Sequence, residues 1–153
     1  MSSKVDPELI GRCGLYCGAC PVYLSRFEDE KFRMKVAEDW GIPLDRCDCD
    51  GCGRPKSNSP CADCKILVCL EGKNIRTCYE CESFDREDCE NFERTYRICL
   101  EQSIDLRQNL ERLYSSGEEK WVERNEQVYV CKACGAKIPW GFAQCQRCGR
   151  ELF

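Results

Sequence analysis

Twelve cysteines and no histidine lie between Cys13 and Cys89, and this constrains the fold more than any other feature of the chain. The pattern runs Cys13-Gly-Leu-Tyr-Cys17-Gly-Ala-Cys20-Pro21, then Cys47-Asp-Cys49-Asp-Gly-Cys52, Cys61-Ala-Asp-Cys64, Cys69, Cys78-Tyr-Glu-Cys81 and Cys89. Four of these cysteines open a C-x-x-C pair, in which two thiolates project from one tight turn and can grip one metal ion. The spacing therefore predicts a metal scaffold.

Disulfides are the competing explanation. The count of 17 cysteines is odd, and Cys47 and Cys49 stand too close together to suit a disulfide framework. The first ten residues hold no apolar core long enough for a secretory signal, and no apolar run reaches the roughly 20 residues of a membrane span. A cytoplasmic chain is expected, and reducing compartments favour metal over disulfide for such spacing. Charged residues make up 33% of the chain, leaving little apolar material for an ordinary core, so metal clips would replace part of the burial.

The remaining pattern is mainly helical. Pro21 suits the first turn of a helix, and Asp29 can cap a second one carrying Phe32, Val36 and Trp40 at steps of four until Gly41 and Pro43 stop it. Residues 44–60 are turn-rich. Ile66, Leu67 and Val68 suggest a helical turn or two ended by Gly72. Phe92, Tyr96, Cys99, Ser103, Leu106, Leu110 and Leu113 recur at steps of four and three, the seam of one long amphipathic helix beginning near Arg86 and ending at Ser115-Ser116-Gly117. Cys99 on that seam reads as a buried core thiol. A shorter helix over 118–127 turns Trp121 and Val122 inward.

The segment 128–153 is the most specific signal. Cys131-Lys-Ala-Cys134-Gly135 and Cys145-Gln-Arg-Cys148-Gly149 are two knuckles ten residues apart, each closed by a glycine that lets the chain turn tightly. Val128, Val130 and Ile138 predict short strands that bring the knuckles together around one tetrahedral site of Cys131, Cys134, Cys145 and Cys148.

This segment resembles the short zinc ribbons found at the ends of many prokaryotic proteins. The larger part resembles the cysteine-rich prokaryotic domain-of-unknown-function family 3795. That resemblance rests on Cys13 to Pro21, Cys49-Asp-Gly-Cys52, Cys61, Cys64-Lys-Ile-Leu-Val-Cys69, Cys78-Tyr-Glu-Cys81-Glu-Ser-Phe and the stretch 109–121. It implies a soluble, cytoplasmic, metal-binding protein with no assigned reaction. The fold class expected is small, metal-stabilised and mainly α with irregular zinc knuckles, ending in a β zinc ribbon. Its parts would be a cysteine-rich multi-metal domain (1–90), a helical spacer (91–127) and the ribbon (128–153).

Setting aside the ribbon and Cys99 leaves twelve cysteines, enough for three further four-cysteine sites and about four zinc ions in all. Chain order suggests Cys13, Cys17, Cys20 and Cys47; Cys49, Cys52, Cys61 and Cys64; and Cys69, Cys78, Cys81 and Cys89. Interleaved groupings are equally allowed. The alternative cofactor is an iron–sulfur cluster, held by the same thiolates, with Cys13, Cys17 and Cys20 spaced to take a [4Fe–4S] core.

No constellation for hydrolysis or transfer stands out. Without histidine a His-based triad is impossible, and no glycine-rich phosphate loop is present. Each zinc held by four thiolates carries −2, so four would take the formal charge of −4 to about −12, against a general nucleic-acid binder. Binding is the default role, with a protein partner expected and no membrane. An iron–sulfur redox or sensor protein is one alternative. Another is a nucleic-acid module using Lys132, Lys137, Arg147 and Arg150 with Trp140 and Phe142 in the ribbon.

Overall fold

The computed structural model of the chain describes residues 6–51, 60 and 64–152. Among these, seven helices carry the fold, joined by 3-10 turns and loops, and the extended pairings are isolated β-bridges. Helix α1 spans Pro21–Leu24 with Pro21 at its first position, where a missing N–H leaves no hydrogen bond unmade. Helix α2, Glu30–Trp40, begins where the Asp29 carboxylate accepts from the Phe32 N–H at 2.9 Å. It ends at Gly41, whose φ of 64° is the left-handed cap that glycine adopts without strain.

Helix α3 spans Lys65–Lys73 and differs from expectation. It runs through Gly72 and stops at Asn74, which takes the left-handed φ of 54°. Asparagine tolerates that conformation because its side chain bonds locally, so the stop falls two residues later than the glycine suggests. Helix α4 is the single turn and a half Glu82–Arg86.

The expected long helix is two helices. Helix α5 spans Glu90–Glu101 and α6 spans Leu106–Ser116. Ser103 adopts φ 62°, and the Asp105 side chain caps α6 by accepting from the Gln108 N–H at 3.0 Å. The break folds α6 back on α5, so the seam's apolar residues still share one interior while Ser103 at the bend is exposed. Phe92, Cys99, Leu106, Leu110 and Leu113 are all buried. Helix α7, Glu118–Val128, adds Trp121 and Val122 to that interior.

This main cluster is an ordinary apolar core. It holds Ile10, Tyr16, Ile66, Leu70 and Phe84 beside the α5–α7 residues. Little such material was expected from composition. The helices concentrate it on one side, and surface charges take the other. Arg107 locks the corner: its guanidinium pairs with Glu93, donates to the Phe84 carbonyl at 2.6 Å, and lies 4.6 Å from the Phe84 ring centroid and 5.2 Å from that of Phe92. A second cluster gathers Cys20, Val22, Phe32, Val36, Ala37, Cys47 and Cys49.

The first cysteine turn is pinned to α6. Gly14 has φ 103°, and a Cβ there would meet the Leu106 carbonyl oxygen at 2.8 Å and the Leu110 Cγ at 3.1 Å. Asn109 Nδ2 donates to the Gly14 carbonyl at 3.0 Å, and Trp121 Nε1 donates to the Asn109 carbonyl at 2.9 Å. Gly14→Ala therefore combines backbone strain with a clash against backbone, and is expected to cost about 1–3 kcal/mol. Urea unfolding of the metal-loaded protein measures it; an unchanged midpoint would remove this close approach from the account.

No helix among the described residues is long and apolar enough to cross a membrane.

Candidate metal centres

The C-terminal knuckles repeat one backbone design. The Cys131 N–H donates to the Ala136 carbonyl and the Gly135 N–H to the Cys131 carbonyl, both at 2.8 Å. In the second knuckle the Cys145 N–H donates to the Arg150 carbonyl and the Gly149 N–H to the Cys145 carbonyl, both at 2.9 Å. Gly135 and Gly149 share the same left-handed bend, φ 78° and 79°. Each knuckle is closed by one antiparallel bridge, Val130 to Lys137 and Gln144 to Glu151. Isolated bridges thus stand where ribbon strands were expected. Val128 forms no strand, because α7 continues to it and leaves it exposed.

The turns bring the four sulfurs together. Sγ of Cys131 lies 3.7 Å from that of Cys148, and Sγ of Cys134 lies 3.6 Å from that of Cys145. All four lie within 4.8 Å of one another, and among the described residues they are the one group of three or more Cys, Asp or Glu that does so. Four thiolates about 2.3 Å from a central tetrahedral ion stand within 4 Å of each other, so this donor set fits a metal ion. Backbone N–H groups of the knuckles favour the ionised sulfur at Cys131 and Cys145, whereas at Cys134 the lowering by the Ala136 N–H is outweighed by burial and the neighbouring cysteines, which push the thiol up to about 11. The Cys148 N–H holds the Cys145 thiol down to about 6, with help from Arg147 N–H against burial. The N–H groups of Cys134 and Ala133 lower Cys131 likewise.

The N-terminal cysteines gather in more than one neighbourhood. Cys20, at the start of α1, is buried with Cys47 and Cys49, and burial pushes its thiol up to about 12. The loop carrying Cys47 and Cys49 is fastened to α1 and α2. Ser25 donates to the Val22 and Cys47 carbonyls, Arg33 Nε donates to the Cys47 carbonyl at 3.3 Å, and Arg26 pairs with both Asp48 and Asp50. Cys17 is half-buried in a 3-10 turn, whereas Cys13 packs against the main cluster with Cys64 and Cys89. Cys52 and Cys61 lie outside the described residues. Cys99 is buried, which raises its thiol to about 11, as suits a core position.

Cys69 projects from α3. Cys78 lies in the 3-10 turn Cys78–Glu80, while Cys81 and Cys89 stand immediately before α4 and α5. Cys78 is within electrostatic reach of Cys89, Cys81, Cys69 and Cys64, and burial pushes it up to about 12. Sequence reasoning missed Lys73, whose Nζ donates to Cys81 Sγ at 3.2 Å. Its position four residues after Cys69 on one helix face was the signal available.

Trp140 also has a role that its sequence context hid. Its backbone N–H donates to the Ala19 carbonyl and its Nε1 to the Tyr16 carbonyl, both at 2.9 Å, and its ring lies 6.1 Å from Trp40. Phe142 packs 5.7 Å from Phe32. These two aromatics seat the knuckles on the N-terminal cysteine region.

No curated protein and no solved structure matches the chain. The family described as "Protein of unknown function (DUF3795)" matches residues 9–94, from the first cysteine turn into α5, and the chain belongs to that family.

Proposed function

We propose that the protein is a zinc-binding adaptor in which Cys131, Cys134, Cys145 and Cys148 form a closed, structural zinc ribbon. The observation that carries the reading is the sulfur spacing of 3.6 and 3.7 Å, which suits one tetrahedral ion. An all-thiolate set with no open position favours zinc as a clip. The absence of histidine from the sequence fits such a closed site better than a catalytic one. The role that follows is to hold a stiff surface for a protein partner.

Placement of the aromatics supports a protein partner over nucleic acid. Trp140 and Phe142 are occupied in packing, Arg147 lies 3.9 Å from Glu28, and Lys137 lies 6.0 Å from the Phe27 ring. Two rings that would have stacked bases are thus withdrawn.

Elemental analysis tests the metal assignment. Cys131→Ser and Cys145→Ser are each expected to lower bound zinc by one ion per chain, following the four-thiolate rule. Zinc unchanged in both variants would sink it. For the partner class, oligonucleotide titration at low ionic strength is expected to be flat; salt-sensitive binding lost on Lys137→Glu would favour nucleic acid instead.

A further inference from the structure

We propose that the C-terminal knuckles are a peroxide-modification site, in which Cys134 and Cys148 are oxidised first and each is then joined to the buried cysteine of the opposite knuckle. The disulfides that result are Cys134 with Cys145 and Cys148 with Cys131. The pairing rests on the knuckle geometry alone, whereas the loss of metal that accompanies it rests on the zinc reading above.

Exposure selects the two sulfurs. Among the described cysteines Cys134 and Cys148 are the exposed ones, whereas Cys131 and Cys145 are only 1% and 2% exposed. The shared knuckle design is the reason. The first cysteine of each knuckle directly follows a bridge residue, Val130 or Gln144, and packs with Ala136 and Ile138. The second sits at the tip, immediately before Gly135 or Gly149, where the chain bends left-handed. A Cβ placed on either glycine would meet nothing within 4 Å, so the tips stand in open space. The described cysteines between Cys13 and Cys89 are less open, being buried or half-buried.

Spacing selects the partners. Sγ of Cys134 lies 3.6 Å from that of Cys145, and Sγ of Cys148 lies 3.7 Å from that of Cys131. A disulfide bond is about 2 Å long, so each pair has less than about 2 Å to close. The chemistry is one two-electron oxidation per pair. The exposed thiolate attacks an oxygen of hydrogen peroxide, the O–O bond breaks, and a sulfenic acid forms as hydroxide leaves. The buried thiolate then attacks the sulfenic sulfur, the S–S bond forms, and the sulfenic oxygen departs as a second hydroxide. A sulfur held in a disulfide has lost the thiolate charge that a metal ligand needs, so oxidation and zinc holding exclude each other.

Tryptic peptides read the pairing directly. Lys132 separates Cys131 from Cys134, Lys137 separates Cys134 from Cys145, and Arg147 separates Cys145 from Cys148. Protein purified without oxygen and supplied with zinc is treated with about two equivalents of hydrogen peroxide per chain, one for each disulfide. Remaining thiols are blocked with N-ethylmaleimide, and the digest is analysed without reductant. The expected links join peptide 125–132 to 148–150 and peptide 133–137 to 138–147. About one zinc ion per chain should be lost with them, following the four-thiolate rule, and dithiothreitol with added zinc should reverse both changes. Links within one knuckle, Cys131 to Cys134 or Cys145 to Cys148, would overturn the pairing. Disulfides confined to the cysteines between Cys13 and Cys89, or knuckle thiols that all remain open to the maleimide, would overturn the site. The expected links forming with no change in bound zinc would uphold the pairing and sink the zinc reading instead.

Discussion

Stripping the metal with a strong chelator under reducing conditions is expected to unfold residues 129–152 while α5, α6 and α7 keep their structure. The knuckle module has a very small interior of its own, Cys131, Ala136, Ile138 and Cys145, with Leu152 partly covering it. Full burial of one isoleucine contributes about 1.5–3 kcal/mol. Binding of a structural zinc at neutral pH contributes about 10–16 kcal/mol in comparable small modules. On the zinc assignment the metal term is several times larger, so the module's fold would depend on it. The helical core behaves differently, because Leu106, Leu110 and Val122 are fully buried in a cluster separate from that of the knuckles. Amide hydrogen exchange before and after chelation separates the two regions. Protection retained across residues 131–150 in verified metal-free protein would show that sulfur–metal bonds are not what holds the module.

Leu110→Ala is expected to destabilise the metal-loaded protein by about 2–5 kcal/mol, a large part of the 5–15 kcal/mol typical of a whole domain. Leu110, on α6, has no exposed surface, packs in one cluster with Trp121 and Val122 of α7, and lies against the Gly14 turn. The high end of the range applies if the cavity fails to collapse. Collapse is restrained on one side by the Asn109 to Gly14 hydrogen bond and on the other by the Trp121 to Asn109 bond. Denaturant unfolding with metal in excess measures the loss. A change under about 1 kcal/mol would show that this contact is not central to stability.

The C-terminal knuckles were legible because their chemistry is local. Two C-x-x-C-G turns place their own sulfurs, and ten intervening residues are enough to bring them face to face. The cap at Asp29 and the stop at Gly41 were legible for the same reason, since each is decided within one helical turn. The α5–α6 corner was hidden because a continuous seam does not reveal a bend that returns both halves to one core. Ser103 and Asp105 made that bend; Ser103 kept the seam's spacing and Asp105 fell between seam positions, so neither interrupted the repeat. The N-terminal cysteines were hard to group because spacing orders them along the chain, whereas partners are chosen by packing. Cys20 meets Cys47 and Cys49 only because α2 carries the chain back and Arg26 fastens the returning loop through Asp48 and Asp50. Lys73 and Trp140 were missed for a related reason: neither residue type announces a bond to a sulfur or to a distant turn.

The seat of Trp140 has a mechanical consequence. The two carbonyls it engages, Tyr16 through its indole and Ala19 through its backbone N–H, bracket Cys17, so a single residue near one end of the polypeptide holds the turn that carries a cysteine near the other. A perturbation that unseats the indole loosens both neighbourhoods together. By thermodynamic reciprocity, ordering either one favours the other to the same degree.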